Sequence, residues 1–177
     1  MASKGRFIVL EGIDGCGKTT IAKLLAPRLK ALVTREPTST GSGKKIHDIL
    51  RHRVKAPSSV EFQKLYITDR HEHLKRVILP ALALGKNVIC QRYVLSTFAY
   101  GMAFGVAYED MKHQVPKPDI TFLLDLPATE AMKRIVSRKQ SNEYFEKLKK
   151  LEKVRRQYRL LAKHKEFGKI IVLNALQ

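Results

Sequence analysis

Several features that would place this 177-residue chain in other protein classes are scarce or missing. It has only two cysteines, Cys16 and Cys90, which form no disulfide framework and are predicted to stay reduced. No apolar run approaches the roughly eighteen residues that a membrane span needs. No internal repeat or low-complexity segment is present. The first residues, MASKGRF, contain no apolar signal core, so we expect a cytoplasmic location.

Acidic residues are also scarce relative to basic ones. The chain has 34 Lys and Arg against 16 Asp and Glu, a formal net charge of +18. Such a charge is compatible with a nucleic-acid surface. The basic residues are scattered, however, without an interleaved aromatic patch, which favours an enzyme of anionic substrates with lysine-rich solvated faces. The length and the hydrophobic content of 44% suit one globular domain.

The clearest motif joins a strand, a glycine-rich loop and a helix. Residues 7–10 are apolar, as in a strand buried on both faces. Residues 12–19 fit the pattern G-x-x-x-x-G-K-[ST], and apolar residues then recur at helical spacing up to residue 29. Such a loop forms an anion nest to which Lys18 adds a cation and Thr19 a possible Mg²⁺ ligand. The motif predicts binding of a nucleoside triphosphate by Gly12, Ile13, Asp14, Gly15, Cys16, Gly17, Lys18, Thr19 and Thr20.

Predicted strands alternate with predicted helices along the rest of the chain. The strands are expected at 7–10, 31–34, 87–90, 120–125 and 170–173. The helices are expected at 44–53, 59–80, 96–104, from 129, and at 145–161, with a polar loop at 38–43. This order predicts an α/β fold, a five-stranded parallel sheet flanked by helices in a three-layer P-loop NTPase sandwich.

Polar residues follow the carboxyl ends of the predicted strands, the edge where parallel sheets bind ligands. They are Glu11 to Asp14, Arg35, Glu36, Gln91, Arg92 and Asp125. A phosphate nest beside two or more arginines predicts that two phosphorylated substrates meet at this edge. The basic helix at 145–161 carries one apolar stripe, so its lysines are interpreted as a solvated face rather than a nucleic-acid surface.

Together these landmarks resemble the thymidylate kinase family of P-loop nucleoside monophosphate kinases, which transfer the ATP γ-phosphoryl group to dTMP. The matching pieces are FIVLEGIDGCGKTT, TREP, YITDRHEHLKRVILPAL, QRYVLSTFAYG, FLLDLPATEA and EKVRRQY. The resemblance covers residues 6 to 176, almost the whole chain. It implies dTMP and ATP as substrates, Mg²⁺ as cofactor and a homodimer. It also implies one kinase domain over residues 1–177, with a nucleoside-monophosphate-binding region at about 35–75 and a lid at about 134–147.

The resemblance gives the candidate acceptor residues their roles. Asp14 matches a carboxylate near the dTMP sugar and the metal, and Arg92 matches an arginine that grips the acceptor phosphate. Tyr66 and Arg70 match an aromatic residue that stacks on thymine and an arginine that reads the base edge. The alternatives are an acidic turn residue for Asp14, a structural salt bridge for Arg92 and core packing for Tyr66.

A second group of matching residues is expected around the same acceptor. Ser96, Thr97 and Tyr100 match positions near the pyrimidine and the 2′ side of the sugar, where a tyrosine would disfavour a 2′-hydroxyl. Ser96 or Thr97 could instead be capping or packing residues. Arg35 is expected near the acceptor, and Glu36 is expected to assist the metal or the acceptor phosphate, with an internal Arg–Glu pair as the alternative.

The lid is expected to supply cations for phosphoryl transfer. Arg134, Arg138 and Lys139 fall in this region, whereas the phosphate loop carries Gly15 and Cys16 where some family members have an arginine. We therefore add Arg134 to the ATP site. The predicted catalytic residues are Lys18, Arg92, Asp14 and Arg138, and the predicted metal ligands are Thr19, Asp14, Glu36 and Gln91.

Gln91 departs from the family pattern because an aspartate normally precedes the arginine and tyrosine of this motif. Glutamine adds no negative charge and cannot act as a carboxylate base, which predicts a slower or differently metal-tuned enzyme. Two alternative functions stay open. One is a kinase of broader specificity for deoxynucleoside monophosphates, and the other is a non-catalytic nucleotide-binding protein with a nucleic-acid partner, although nucleic acid is not the favoured ligand.

Overall fold

The computed structural model describes residues 4–136 and 144–176 of the chain. Their strands are β1 (Phe7–Glu11), β2 (Ala31–Arg35), β3 (Asn87–Gln91), β4 (Ile120–Asp125) and β5 (Ile170–Asn174). They form a five-stranded sheet in the order β2-β3-β1-β4-β5, and all neighbouring strands are parallel. The predicted α/β fold with a five-stranded parallel sheet is confirmed.

Helices connect the strands on both faces of the sheet. They are α1 (Lys18–Leu29), α2 (Gly41–Leu50), α3 (Ser59–His73), α4 (Leu79–Ala83), α5 (Val94–Ala103), α6 (Ala128–Val136) and α7 (Tyr144–Leu161). No helix in the described part of the chain is both long enough and apolar enough to cross a membrane.

Alternation along β1 divides the core between the two faces. Leu10 packs with Ala22 of α1 on one face. Phe7 and Val9 face the other way, where they pack with Leu82 of α4. Since successive side chains of a strand point to opposite faces, the continuous apolar run over residues 7–10 requires a helical layer on each side. This is the three-layer arrangement predicted from the sequence.

The helix boundaries differ from prediction in two places near the site. α2 begins at Gly41, so half of the expected loop at 38–43 is helical, and α2 ends at Leu50 rather than residue 53. α5 begins at Val94 rather than Ser96 because the buried Glu11 carboxylate accepts hydrogen bonds from the backbone N–H groups of Tyr93 and Ser96. A side chain from β1 therefore caps this helix, which local sequence does not reveal.

The helix predicted over 59–80 is continuous in the structure but changes its winding. α3 begins with a capping box, in which Ser58 and Glu61 exchange hydrogen bonds, and runs to His73. One π-helical stretch over Leu74–Ile78 then leads into α4, which has Pro80 in its first turn. Proline has no N–H group and cannot complete the usual helical hydrogen bond, and the change of winding comes directly before Pro80.

Candidate active site

The phosphate loop lies between β1 and α1 and packs closely on its neighbours. Gly12 and Gly15 have φ angles of +133° and +81°, which disfavour any residue with a Cβ. A Cβ at Gly12 would lie 2.6 Å from the carbonyl oxygen of Leu124, and one at Gly15 would lie 2.7 Å from that of Ala131. The end of β4 and the backbone of α6 therefore leave room only for glycine, and they fix the shape of the loop.

Lys18 directs its ammonium group into this loop. Its Nζ donates to the carbonyl oxygens of Gly12 at 2.9 Å and Ile13 at 2.8 Å. The side chain is buried, and burial, with the nearby charge of Arg92 as a smaller cause, lowers the pKa of Lys18. The loop thus concentrates a cation and backbone N–H groups at the N-terminus of α1, as an anion nest requires.

Thr19 and Gln91 meet beside the loop. The Thr19 hydroxyl, in the first turn of α1, donates to Gln91 Oε1 at the end of β3, at 2.8 Å. Both side chains present neutral oxygens, the ligand type that Mg²⁺ accepts when substrate phosphates and waters complete its shell. The donor set therefore fits a magnesium ion carried by a nucleotide.

Arg92 is the centre of the polar cluster at this edge. Its Nη2 donates to Asp14 Oδ1 at 2.7 Å and to the Tyr100 hydroxyl at 3.1 Å. Its Nη1 donates to Ser96 Oγ at 3.2 Å and to the Tyr158 hydroxyl at 3.3 Å. The structure thus brings together the predicted residues Asp14, Arg92, Ser96 and Tyr100 from the phosphate loop, the end of β3 and α5.

The positive charge of Arg92 and the burial of the site shift the pKa values of the neighbouring ionisable groups. The Arg92 guanidinium lowers the pKa of Asp14, whose side chain is 63% exposed. The Asp14 carboxylate is therefore ionised at neutral pH. Burial raises the pKa of Tyr100, which stays a neutral hydroxyl. The site therefore presents a charged, partly exposed Asp14–Arg92 pair beside the phosphate loop.

The backbone of Arg92 is held in a strained conformation. Its φ of +68° lies in the left-handed region, which is uncommon for a residue with a side chain and is concentrated at functional sites. Glu11 secures the residues that follow Arg92, because its Oε1 accepts from the N–H groups of Tyr93 at 2.8 Å and Ser96 at 3.1 Å. The turn that aims Arg92 is thus fixed by a buried carboxylate.

Sequence reasoning did not single out Glu11 or Tyr158 as site residues. Glu11 Oε2 accepts from Ser96 Oγ at 2.6 Å and from the Tyr158 hydroxyl at 3.0 Å, and both Glu11 and Tyr158 are buried. The two residues are 147 positions apart, so no local pattern links them. The only available signal was the place of Glu11 at the end of β1, where an acidic residue interrupts an apolar strand.

Arg70 and Glu36 form a second, fully buried cluster. Arg70 donates through Nε at 2.9 Å and Nη2 at 2.7 Å to Glu36 Oε2, and their side chains are 1% and 2% exposed. Glu36 Oε1 lies 3.2 Å from His73 Nδ1. The internal Arg–Glu pair expected as an alternative for Glu36 is therefore present, with Arg70 as the partner. The Glu36 carboxylate is thus engaged by Arg70 and His73, while its backbone N–H donates to the Gln91 carbonyl oxygen at 3.0 Å, and its role as a metal ligand stays a prediction.

Thr97 and Tyr66 belong to the same side of the site. Thr97 is buried, and its Oγ1 accepts from Arg70 Nη1 at 3.0 Å. Tyr66 lies one turn before Arg70 on α3 and packs edge-on against Phe62, with ring centroids 5.3 Å apart. Burial raises the pKa of Tyr66 to about 12, so its ring carries a neutral hydroxyl. The contact between Thr97 and Arg70 means that Thr97 holds the arginine in place, which is the packing role expected as its alternative.

Comparisons with known proteins agree with this geometry. The family model described as thymidylate kinase matches residues 10–177. A probable thymidylate kinase of Pyrococcus abyssi is 40% identical over 98% of this chain and 89% of its own length. A probable thymidylate kinase of Pyrococcus horikoshii is 43% identical over the same shares, and a thymidylate kinase of Desulfotalea psychrophila is 38% identical over 85% of this chain and 78% of its own.

The chain belongs to the thymidylate kinase family. Within this family it keeps the phosphate loop and the Arg-Tyr sequence that follows β3, but it carries Gln91 before that arginine. In the structure Gln91 accepts from Thr19, a role that an aspartate oxygen could also fill. Glutamine in place of aspartate therefore removes a negative charge at position 91 but keeps the hydrogen bond with Thr19.

The remaining predicted residues of this thymidylate kinase family member lie at the margins of the site. Arg35 is exposed at the end of β2 and lines a small cleft with Thr38 and Arg76. Arg134 on α6 donates to the Ala175 carbonyl oxygen at 3.1 Å, near the end of β5. Arg138 and Lys139, and with them half of the predicted lid at 134–147, lie outside the described residues.

A buried group of potential metal ligands adjoins the Arg70–Glu36 cluster. Ligand atoms of Glu36, His73 and Cys90 lie within 4.8 Å of one another. Glu36 is already neutralised by Arg70, and the other ring nitrogen of His73 lies 2.6 Å from the Thr34 hydroxyl. Since the Cys90 thiol also donates to the Arg92 carbonyl oxygen at 3.1 Å, we interpret the group as a hydrogen-bonded cluster.

Proposed function

We propose that this protein is an ATP- and Mg²⁺-dependent thymidylate kinase, which transfers the γ-phosphoryl group of ATP to dTMP and releases dTDP and ADP. The observation that carries the proposal is the 2.7 Å contact between Asp14, inside the phosphate loop, and Arg92, at the end of β3. It puts an arginine able to clamp a second phosphate directly beside the nest for the first.

The donor side of the reaction follows from the loop. Its N–H groups and Lys18 bind the β- and γ-phosphates, and Thr19 and Gln91 would hold Mg²⁺ with the nucleotide. When bound there, Mg²⁺ would supply neutralisation of the charge that develops on the phosphate oxygens during transfer. Arg134 of α6 contacts the chain just after the end of β5, and we propose that it borders the ATP site there. We assign Arg138 as a lid cation.

The acceptor side follows from the arginines. Arg92 exchanges part of its contact with Asp14 for the dTMP phosphate, and Asp14 then accepts from the sugar hydroxyl. Tyr66 stacks on thymine, Arg70 faces the base edge, and Tyr100 crowds the 2′ side of the sugar. Arg35 lies at the outer margin of the same site. Ser96 and Thr97 support the arginines through their hydroxyl groups.

The chemistry needs little from a general base. The phosphate of a nucleoside monophosphate has a second pKa of about 6, so it is mainly a dianion at neutral pH. One of its oxygens attacks the γ-phosphorus while the bond to the β-bridging oxygen breaks and ADP leaves. Because no proton has to be removed from the nucleophile, a neutral Gln91 is compatible with turnover.

The test is a coupled assay of ADP formation with ATP and each of dTMP, dUMP, dCMP and dGMP. We expect turnover that is fastest with dTMP and that Lys18→Met reduces by about 10²–10³-fold, as for removal of a charge-stabilising donor. Comparable rates with dGMP and dCMP would favour the broader kinase. Absence of turnover, together with salt-sensitive DNA binding, would favour the non-catalytic alternative.

The family resemblance also motivates two proposals about the whole molecule. We expect one kinase domain that forms a homodimer and works in the cytoplasm, with no nucleic acid as partner. Sedimentation equilibrium would give twice the monomer mass of 20.2 kDa for a dimer. A single species of monomer mass across the concentration range would contradict the dimer.

A further inference from the structure

Arg70 has one half-buried partner that the site described above does not explain. Its Nη1, besides donating to Thr97, lies 3.1 Å from Nε2 of His113. His113 comes from the segment before β4, 43 residues away from Arg70. Its ring lies parallel to that of Phe98 on α5 and edge-on to that of His71 on α3, with centroids 6.3 and 6.1 Å apart.

The partners of His113 define its protonation. Nδ1 lies 2.7 Å from the carbonyl oxygen of Met111, which can only accept, so Nδ1 carries the hydrogen. Arg70 Nη1 can only donate, so Nε2 is the bare nitrogen that accepts from it. A protonated imidazole would instead point an N–H group at the guanidinium and place two positive charges about 3 Å apart.

With His113 in place, nearly every donor of Arg70 is assigned. Nε and one Nη2–H group donate to Glu36, and Nη1 serves Thr97 and His113. Of the five N–H groups of a guanidinium, one on Nη2 is left for a substrate. The direction of this remaining Nη2–H group depends on how the guanidinium is held, and the contacts of Nη1 with Thr97 and His113 help to hold it.

We propose that His113, as the neutral Nδ1–H tautomer, is a positioning residue that fixes Arg70 for recognition of the nucleotide acceptor. This inference rests on the proposed function for the identity of the acceptor. It gives the segment between α5 and β4 a part in acceptor binding, through contact with Arg70 rather than with the substrate.

The surroundings favour the neutral form at physiological pH. Burial lowers the pKa of His113, and the charges of Arg70 and His71 lower it further, while the hydrogen bond to the Met111 backbone and the charge of Glu36 oppose them. Lys112 is its chain neighbour, and Lys117 and Glu166 line the same cleft of about 630 Å³. His113 also lines this cleft and is only half-buried, so protons reach the ring when the solution is acidified.

The experiment compares His113→Gln, whose side-chain oxygen replaces the Nε2 acceptor, with His113→Leu, which removes it. Loss of a hydrogen bond to a charged group predicts that His113→Leu raises KM for dTMP about 10-fold, with kcat and KM for ATP changed less than about 2-fold. His113→Gln is expected to stay within about 3-fold of the unmodified protein in KM for dTMP. His164→Gln, a change at an exposed histidine, is the control and should leave all three constants unchanged.

The pH dependence separates positioning from packing. Below pH 6.5, the ordinary pKa of histidine, KM for dTMP should rise more steeply in the unmodified protein than in His113→Gln. Protonation of the dTMP phosphate, with a pKa of about 6, affects both proteins equally. Superimposable pH profiles, or an unchanged KM in His113→Leu, would overturn the proposal.

A nitrogen-15 NMR spectrum of the histidine rings gives a readout without substrate. We expect the Nδ1–H tautomer for His113 at neutral pH, and an Nε2–H tautomer or a protonated ring would overturn the assignment. This measurement stays decisive if His113→Leu does not fold. If the unmodified protein does not phosphorylate dTMP, the proposed function fails, while the spectrum still tests how His113 meets Arg70.

Discussion

Arg92 and Arg70 are both assigned to the acceptor, but their surroundings are opposite. Arg92 is 16% exposed and paired with Asp14, which is 63% exposed, whereas Arg70 and Glu36 are 1% and 2% exposed. A solvated carboxylate gives way to an incoming phosphate at little cost, but a buried ion pair does not separate without a large desolvation penalty. Arg92 is therefore suited to exchange partners during binding, and Arg70 is suited to stay in place.

The largest expected effect is that of Arg70→Met on stability. Glu36 would keep its buried negative charge without the guanidinium, which predicts a loss of about 3–5 kcal/mol in the free energy of unfolding. Urea denaturation followed by circular dichroism measures this loss. The double variant Glu36→Gln/Arg70→Met, which removes both charges, should recover more than half of it. A loss below about 1 kcal/mol in the single variant would show that the pair is not buried in solution.

Arg92→Met should have the reverse signature. We expect kcat/KM for dTMP to fall about 10²–10³-fold, because a donor aimed at the phosphate is lost. The free energy of unfolding should change by less than about 1 kcal/mol, since the partner Asp14 is largely solvated. Steady-state kinetics and urea denaturation on the same preparation give both values. A variant that loses several kcal/mol of stability but keeps its activity would invalidate the contrast between the arginines.

Tyr158→Phe tests the support beneath Arg92. It removes one of four donors to Glu11 and one acceptor from Arg92, which predicts a stability loss of about 1 kcal/mol and a several-fold fall in kcat/KM for dTMP. Tyr108→Phe, which removes a hydroxyl that pairs with Glu166 away from the loop, is the matched control. Equal kinetic effects from both variants would argue against a specific role for Tyr158.

The smallest expected effect is that of Gln91→Asp. Aspartate can still accept a hydrogen bond from Thr19 and adds a negative charge beside the nucleotide phosphates. We expect a few-fold higher turnover and half-saturation at a lower Mg²⁺ concentration. Initial rates over a Mg²⁺ titration measure both. Unchanged turnover and an unchanged Mg²⁺ dependence would mean that the charge at this position is unimportant.

The phosphate-loop half of the site was predictable residue by residue because its information is local. Eight consecutive residues carry the loop pattern, and the flanking strand and helix come directly before and after it. The structure adds physical detail, such as the close approach of Gly12 to Leu124, but no new member of the loop.

The acceptor half was predictable only in part because its contacts are long-range. The sequence placed Arg92 near Asp14, since both follow strand ends, and the family resemblance placed Tyr100 beside the same acceptor. It could not assign Glu36 to Arg70, which is 34 residues away, or Tyr158 to Glu11. Hydrogen bonds between residues so far apart in the chain depend on how the helices pack over the sheet. No local pattern in the sequence indicates them.

Isothermal titration of dTMP without ATP distinguishes the two anion sites, because only the acceptor site is then occupied. We expect Lys18→Met to bind dTMP within about 3-fold of the unmodified protein, since its cation serves the donor phosphates. Arg92→Met should bind dTMP at least about 10-fold more weakly. Equal losses in both variants, or undiminished binding by Arg92→Met, would contradict separate donor and acceptor sites meeting at this edge of the sheet.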